Sequence, residues 1–280
     1  MASLKEIKER IGSVTGTLKV TNAMRMVASV KFRRACRTIE AVMPYHRHLQ
    51  AILEHLTTES DAMCAYFPRS KPEQRIAVVA IASDSGLCGS YNSNIIRMLE
   101  EIAADSDNVE VYPIGKKVRD ASMRMKLNVA ESASMFNKLT NETATALAAH
   151  LEKRYLDEEI DRVVMLYHHL RSAASTEIIS EDLLPVHPET DSENRFGIDF
   201  IIEPDSDSVI RTLLPKLLST KMYAVMCDAA ASEHASRMVA MQTAGDNADK
   251  ILGELRLQYN QLRQQAITSQ LLDIVGGTMR

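Results

Sequence analysis

The sequence contains no tryptophan, and aromatic residues make up only 5% of its 280 positions, a low share for a compact enzyme. Its four cysteines, Cys36, Cys64, Cys88 and Cys227, lie far apart and form no CxxC pair. That usage fits reduced thiols better than disulfides or a zinc site, so neither a structural metal nor a cofactor is expected. No run of about 18 apolar residues occurs, and Lys5, Lys8, Arg10 and Lys19 interrupt the first twenty positions. Neither a membrane span nor a secretory signal is therefore expected. Proline is missing from residues 1–43 and 216–280. Because an interior proline costs a helix about 3 kcal/mol, both ends of the chain are free to form long helices.

What is present agrees with this. Hydrophobic residues reach 45% at a mean hydropathy of -0.15, and the chain has fifteen methionines, a composition suited to helices packed along narrow seams. Charge is divided unevenly: residues 1–57 carry a net +6, residues 208–280 a net +2 and residues 58–207 a net -12. A basic end facing an acidic protein surface is a better account of this than nucleic acid, because the middle is acidic.

Ser3 followed by Glu6 makes a capping box. Leu4, Ile7, Ile11, Val14 and Leu18 then repeat at alternating spacings of three and four, the pattern of a heptad seam. The seam is expected to slip near Val20, to resume through Met24, Val27, Ala35, Ile39 and Val42, and to kink or break near Pro44. At the other end Met238, Met241, Gly245, Ala248, Leu252, Leu255, Tyr259, Leu262 and Ala266 keep the same alternation. A long helix with one apolar stripe is unstable alone, so the two ends are expected to wind antiparallel around each other.

Between them the periodicity changes. The run Ile76–Ala82, a helical stretch from about Tyr91 to Ala104, the run Val109–Ile114 and a helix around Lys116–Met125 read as βαβα. A helix capped near Thr140 or Asn141, a strand at Val163–Tyr167 and a neighbouring strand at Thr176–Ile179 complete a parallel or mixed sheet. Residues 187–208 read as a polar connection. The expected fold is α/β plus coiled coil: long N- and C-terminal helices in an antiparallel coiled coil with a Rossmann-like α/β domain inserted between them. The expected divisions are a helix over 1–57, the α/β domain over 58–207 and a helix over 208–280.

Candidate chemistry is sparse. The turn Ser83-Asp84-Ser85-Gly86-Leu87-Cys88-Gly89 follows the first strand, where doubly wound sheets bind phosphate. It lacks both GxGxxG and GK[ST], so a structural turn is the better reading, and a small nucleotide-binding enzyme is the alternative. Ser232-Glu233-His234 cannot form a relay from adjacent helical positions and reads as a helix start capped by Ser232. In His168-His169 at a strand end, one ring is expected to pack and the other to be solvated. Arg33, Arg34 and Arg37 form a basic stripe without interleaved aromatics. A generic coiled-coil scaffold is a further alternative.

Three segments carry a resemblance. Lys19-Val20-Thr21-Asn22-Ala23-Met24-Arg25-Met26-Val27-Ala28-Ser29-Val30-Lys31 resembles the K-[IV]-T-x-A-M-x-M-V-A-x-x-K signature of ATP synthase gamma subunits. Ser232 to Met241, the pair Asp246-Asn247, and Tyr259-Asn260 through Arg263-Gln264 and Ile267-Thr268 to Ile274-Val275-Gly276-Gly277 are similar to that family's closing signature. Ser83-Asp84-x-Gly86-Leu87-Cys88-Gly89-x-Tyr91-Asn92 is similar to its central motif, with Ser85 and Ser90 in place of the usual Arg and Gly. Gln270 and Leu272 stand where acidic and polar residues are common. The resemblance implies a rotor subunit without a catalytic site or cofactor of its own. Its implied partners are the hexamer of alpha and beta subunits, the epsilon subunit and the membrane c-ring. Its implied place is the cytoplasmic face of a bacterial membrane, without insertion into the lipid. Contacts with the alpha-beta ring are expected at Met24, Arg25, Met26, Lys31, Arg33, Arg34, Arg237, Arg263, Gln264 and Thr268.

Overall fold

In a computed structural model, which describes residues 3–56, 61–68, 75–106, 108–130, 140–186 and 202–278, the chain opens and closes on long helices. Helix α1 spans Leu4–Leu56 and α6 spans Ser206–Thr278. Each start is capped: Ser3 Oγ accepts the Glu6 N–H at 3.2 Å, and Asp205 Oδ1 accepts the Ser208 N–H at 2.8 Å. Those bonds hold the Asp205 carboxyl below its ordinary pKa and satisfy donors that a helix start leaves free. Of the kink or break expected near Pro44, the break does not occur: α1 runs through Pro44, and α6 likewise runs through Pro215. Pro44 is exposed, so the lost bond faces water, while Leu49, Leu53 and Leu56 just beyond it are buried and hold the helix on course. Burying three leucines contributes more than the roughly 3 kcal/mol an interior proline costs.

The chain divides into two compact units, Met1–Ala28 with Arg237–Arg280, and Ser29–Ser236. In the first, the α1 side chains withdrawn from solvent include Leu4, Ile7, Ile11, Val14, Leu18, Thr21, Arg25 and Ala28, an unbroken three-four alternation with half-buried Thr15 beside it. The expected slip near Val20 does not occur. The stripe stays in register by accepting polar Thr21 and Arg25, and Met24 and Val27 turn outward instead. On α6, Met238, Met241, Gly245, Ala248, Leu252, Leu255, Tyr259, Leu262 and Ala266 are the matching half-buried or buried row. Arg25 hydrogen-bonds Gln242, while the space beside Gly245 is bounded by Asn22 and Leu18. Moving back along α1 thus moves forward along α6, and the pair is antiparallel.

The second unit holds a mixed five-stranded sheet in the order β3-β2-β1-β4-β5. Its strands are β1 (Ile76–Ile81), β2 (Val109–Ile114), β3 (Asn128–Val129), β4 (Arg162–Ser172) and β5 (Ser175–Leu184). Strand β1 runs parallel to β2 and β4, β3 is parallel to β2, and β5 returns antiparallel along β4. A single-turn helix α2 (Asp61–Cys64) precedes β1, and between the strands lie the helices α3 (Tyr91–Ala104), α4 (Lys116–Arg124) and α5 (Asn141–Leu156). Helix α5 starts at Thr140, whose hydroxyl accepts the Thr143 N–H.

Side chains alternate across the sheet, as the period of two requires. Val78, Ala80, Val111, Val164 and Leu166 pack with Ile95 and Leu99 of α3 and Val118 of α4. Ala77, Val79, Ile81, Tyr112 and Met165 face Leu49 and Leu53 of α1, Leu147 and Leu151 of α5, and Leu214 to Met226 of α6. Both faces are covered, so the central strands read as near-continuous apolar runs. The polar connection expected at 187–208 lies mostly outside the described residues.

Candidate functional site

The strand order reverses between β1 and β4, the place where an open α/β sheet would receive a nucleotide. Here protein fills it. The His168 ring stacks on Tyr91 with centroids 4.4 Å apart, and its Nε2 donates to the Tyr91 carbonyl at 3.0 Å. Tyr91 Oη in turn donates to the Ala229 carbonyl of α6 at 3.0 Å. Burial lowers the His168 pKa, the bond to Tyr91 acting the other way. Its neighbour His169 is partly exposed and meets Asp228 through Nδ1 at 2.6 Å, while the other Asp228 oxygen accepts the Leu170 N–H. One histidine packs and one is solvated, as strand geometry demands.

The Ser83–Gly89 turn is tied down by bonds among its own and neighbouring polar groups. Ser83 Oγ lies 2.6 Å from the Ser85 carbonyl and 2.9 Å from Asn92 Oδ1. Asn92 Nδ2 points at Cys88 Sγ at 3.2 Å, and Asp84 Oδ1 accepts the Lys116 N–H at the start of α4. These bonds fasten β1 to α3 and α4 rather than aim donors at a ligand. Ser232 does not start a helix. It lies within α6, fully buried, where its small side chain permits close packing.

The surface that remains is on the long helices. Val20, Met26 and Val27 of α1 are 53%, 66% and 57% exposed, and Met24 is 39% exposed. Large apolar side chains so exposed over two turns are a feature of interaction surfaces. Arg25 points across to α6 instead. Lys31, Arg33, Arg34 and Arg37 are exposed on the part of α1 that belongs to the second unit. There Arg33, Arg34 and Arg37 line an open groove of about 620 Å³ with Val30, Val42 and Tyr223. Arg237 is half-buried.

Arg263, Gln264 and Thr268 are all exposed on α6, with the Thr268 hydroxyl bonded back to the Gln264 carbonyl at 2.9 Å. At 1.5 Å per residue they begin about 30 Å along α6 from Gln242. Since Arg25 lies level with Gln242, the start of α1 at Leu4 lies about level with Arg263, and α6 continues beyond that level. Leu262 and Ala266 are therefore only half-buried. Of the residues expected to meet a ring, Met24, Met26 and Arg237 thus lie at one end of the helix pair and Arg263, Gln264 and Thr268 toward the other, while Lys31, Arg33 and Arg34 belong to the second unit. The part of Gln242 and Asp246 was not anticipated. It was signalled by the heptad count itself, which places Arg25 rather than Met24 in the seam.

Comparison with known proteins completes the picture. A family model described as ATP synthase matches residues 3–279. The chain is 41% identical to the ATP synthase gamma chain of Bacteroides fragilis over 289 residues, and 43% identical to that of Phocaeicola vulgatus over 288, covering all of both chains in each case. Among solved structures, its fold is similar to a chain of the rotor of the Euglena gracilis mitochondrial ATP synthase, with a TM-score of 0.64 and 17% identity over 94% of this chain and 98% of that one.

Proposed function

Because the chain belongs to the ATP synthase gamma-chain family, we propose that its paired terminal helices are a shaft that carries torque between a membrane rotor and a ring of catalytic subunits. Its function is that of a central-stalk subunit in an F-type ATP synthase, coupling ion-driven rotation to ATP synthesis and hydrolysis. We read the helix pair as an antiparallel coiled coil and the sheet unit as a Rossmann-like domain. The segments 1–57, 58–207 and 208–280 are the working parts. The chain makes no ATP itself, and catalysis belongs to the beta subunits.

The observation that carries this reading is the contrast between a filled crevice and a bare shaft. The place where the sheet would hold a nucleotide is taken by His168, Tyr91 and α6, whereas Met24, Met26 and Val27 stand in solvent on a helix more than fifty residues long. Rotation of such an asymmetric surface within a ring biases each catalytic site in turn between conformations, provided the contacts differ between states. Met24, Met26, Lys31, Arg33, Arg34 and Arg237 meet the lower part of the alpha-beta ring, and Arg263, Gln264 and Thr268 meet it at the tip. Exposed cations of this kind position and steer more than they bind. Arg25 lies at the level of Met24 and Met26 but is turned toward Gln242 of α6. The sheet unit faces the epsilon subunit and the c-ring. No described helix is long and apolar enough to cross a membrane, and we place the chain peripherally, at the cytoplasmic face of a bacterial membrane.

The deciding experiment is ATP hydrolysis by cognate alpha and beta subunits mixed with and without this chain. High turnover in a stable complex only when the chain is present, with none from the chain alone, is the expected result. Saturable nucleotide binding or hydrolysis by the isolated chain, with the mixture unchanged, would replace this reading with the enzyme alternative.

A further inference from the structure

The α1 stripe is apolar or small at Leu4, Ile7, Ile11, Val14, Leu18 and Ala28, and the seam position that breaks this pattern most strongly is Arg25. Its Nε is buried without an acceptor among the described residues, while the outer end of the guanidinium reaches the exposed flank of the pair, where Gln242 and Asp246 stand. Its Nη1 donates to Gln242 Oε1 across the helix pair. The Gln242 amide cannot turn over freely, because its Nε2 donates to Asp246 Oδ1 one helical turn further on, at 2.8 Å. With the amide nitrogen directed to a carboxylate, the amide oxygen faces the guanidinium.

Immediately beside this chain of bonds the helices come close. At Gly245 the nearest α1 atoms to a built Cβ position are Asn22 Oδ1 at 3.7 Å and Leu18 Cδ1 at 3.9 Å. Apolar seams by themselves tolerate sliding by a heptad, since every leucine-like contact finds an equivalent one seven residues away. A polar group inside the seam that has one matched partner removes that freedom at some cost in stability.

We infer that Arg25, Gln242 and Asp246 form a clamp that fixes the axial register of the two helices, so that Arg25 is a positioning residue inside the shaft rather than a cation offered to the ring. A slip by one heptad would carry Arg25 about 10 Å away from Gln242 and leave the guanidinium in the seam without its acceptor. The clamp sits at the level of Met24 and Met26. Register there fixes which turn of α6 backs the exposed apolar ridge. That it matters for torque rests on the shaft reading above; that it fixes register does not.

A charge-swap cycle in the full-length chain tests the clamp: R25E, Q242K and the double variant, read by hydrogen exchange of the backbone amides around Thr21 and Ala248. R25E sets a carboxylate near Asp246, and Q242K sets an ammonium against Arg25, so each should raise local opening about tenfold. The double variant restores opposite charges across the seam and should return opening to within about threefold of the parent. If the double variant opens as much as the product of the two singles, there is no clamp. In the assembled complex, each single should lower proton pumping per ATP hydrolysed by about twofold, and the swap should recover it. Unchanged pumping in both singles would overturn the role in transmission. A parent chain that fails to raise alpha-beta turnover would sink the shaft reading alone, while exchange in the free chain would still decide the clamp.

Discussion

The two units of this chain bury side chains by different rules. In the sheet unit each central strand is covered on both faces, and Val78, Val79, Ala80, Leu147, Leu151 and Met165 retain no exposed surface. In the helix-pair unit each helix hides one stripe, and side chains a single position away are in solvent: Ile7 is 2% exposed and Ala28 2%, but Val27 is 57% exposed. A sheet with two covered faces has neighbours on every side, so a lost methylene leaves a void. A two-helix pair has water on most of its circumference and tolerates change except along the seam. The first arrangement makes a rigid body, and the second makes a surface that another protein can read.

The sharpest way to break this comparison is to open a cavity in the sheet unit. Leu147→Ala, at a position with 0% exposure, should cost about 4 kcal/mol in denaturant unfolding. A loss under about 1 kcal/mol would mean the core is looser than its burial implies.

Next comes a pair of glycines. Gly115 has φ +99 and a Cβ there would lie 2.1 Å from the Ala82 carbonyl oxygen, so Gly115→Ala should cost about 3 kcal/mol in the same unfolding assay through strain and backbone displacement. Gly245 is helical and has ordinary contact distance to α1. Gly245→Ala should instead stabilise the helix pair by about 0.5 kcal/mol, read as slower exchange of its amides.

Acid should separate the units as well. Burial lowers the His168 pKa from its ordinary 6.5, and burial also lowers that of His46, with Lys221 acting in the same direction. The unfolded chain therefore binds more protons than the folded one as pH falls below 6.5, and stability present above that pH is lost on acidification. Glu152, raised by burial against the bond from Tyr66, works in the opposite sense, losing stability as pH rises above 4.5. The unfolding midpoint of the sheet unit should fall from pH 7 to pH 6, and His168→Phe should flatten that slope. A slope unchanged by the substitution would remove His168 as its source.

The smallest expected effect on stability is at the exposed ridge. Met26→Ala should change stability by less than about 0.5 kcal/mol, yet weaken binding to alpha and beta subunits in a titration. Equal binding by both forms would show that the ridge is not a contact.

Much of this was legible beforehand, and where it failed the reason is local. The edges of β1, β2, α3 and α4 follow from abrupt changes of period. Strand β3 has two residues and no period to detect, and β5 reaches Leu184 because it pairs with β4, which its mixed sequence Ser175–Leu184 does not announce. Seeking apolar residues moved the seam onto Met24 and Val27, whereas counting threes and fours from Leu18 would have kept it on Thr21 and Arg25. Proline at 44 reads as a kink or break because propensity is local, while the leucines that keep the helix continuous act through the core they share with α5 and α6. Of the expected ring contacts, all but Arg25 and Arg237 are exposed on the two helices as read from the motifs.

The sequence by itself determined the two long helices, the alternation of strands and helices between them and the family, since caps, periods and motifs are written in neighbouring residues. Only the tertiary structure decided that Arg25 lies at the seam of the helix pair, that the sheet's crevice is filled by His168 and Tyr91, and that α6 runs on past the level of Leu4. Each of these depends on which distant residue lies level with which, a relation fixed by packing between segments from 77 to 217 positions apart.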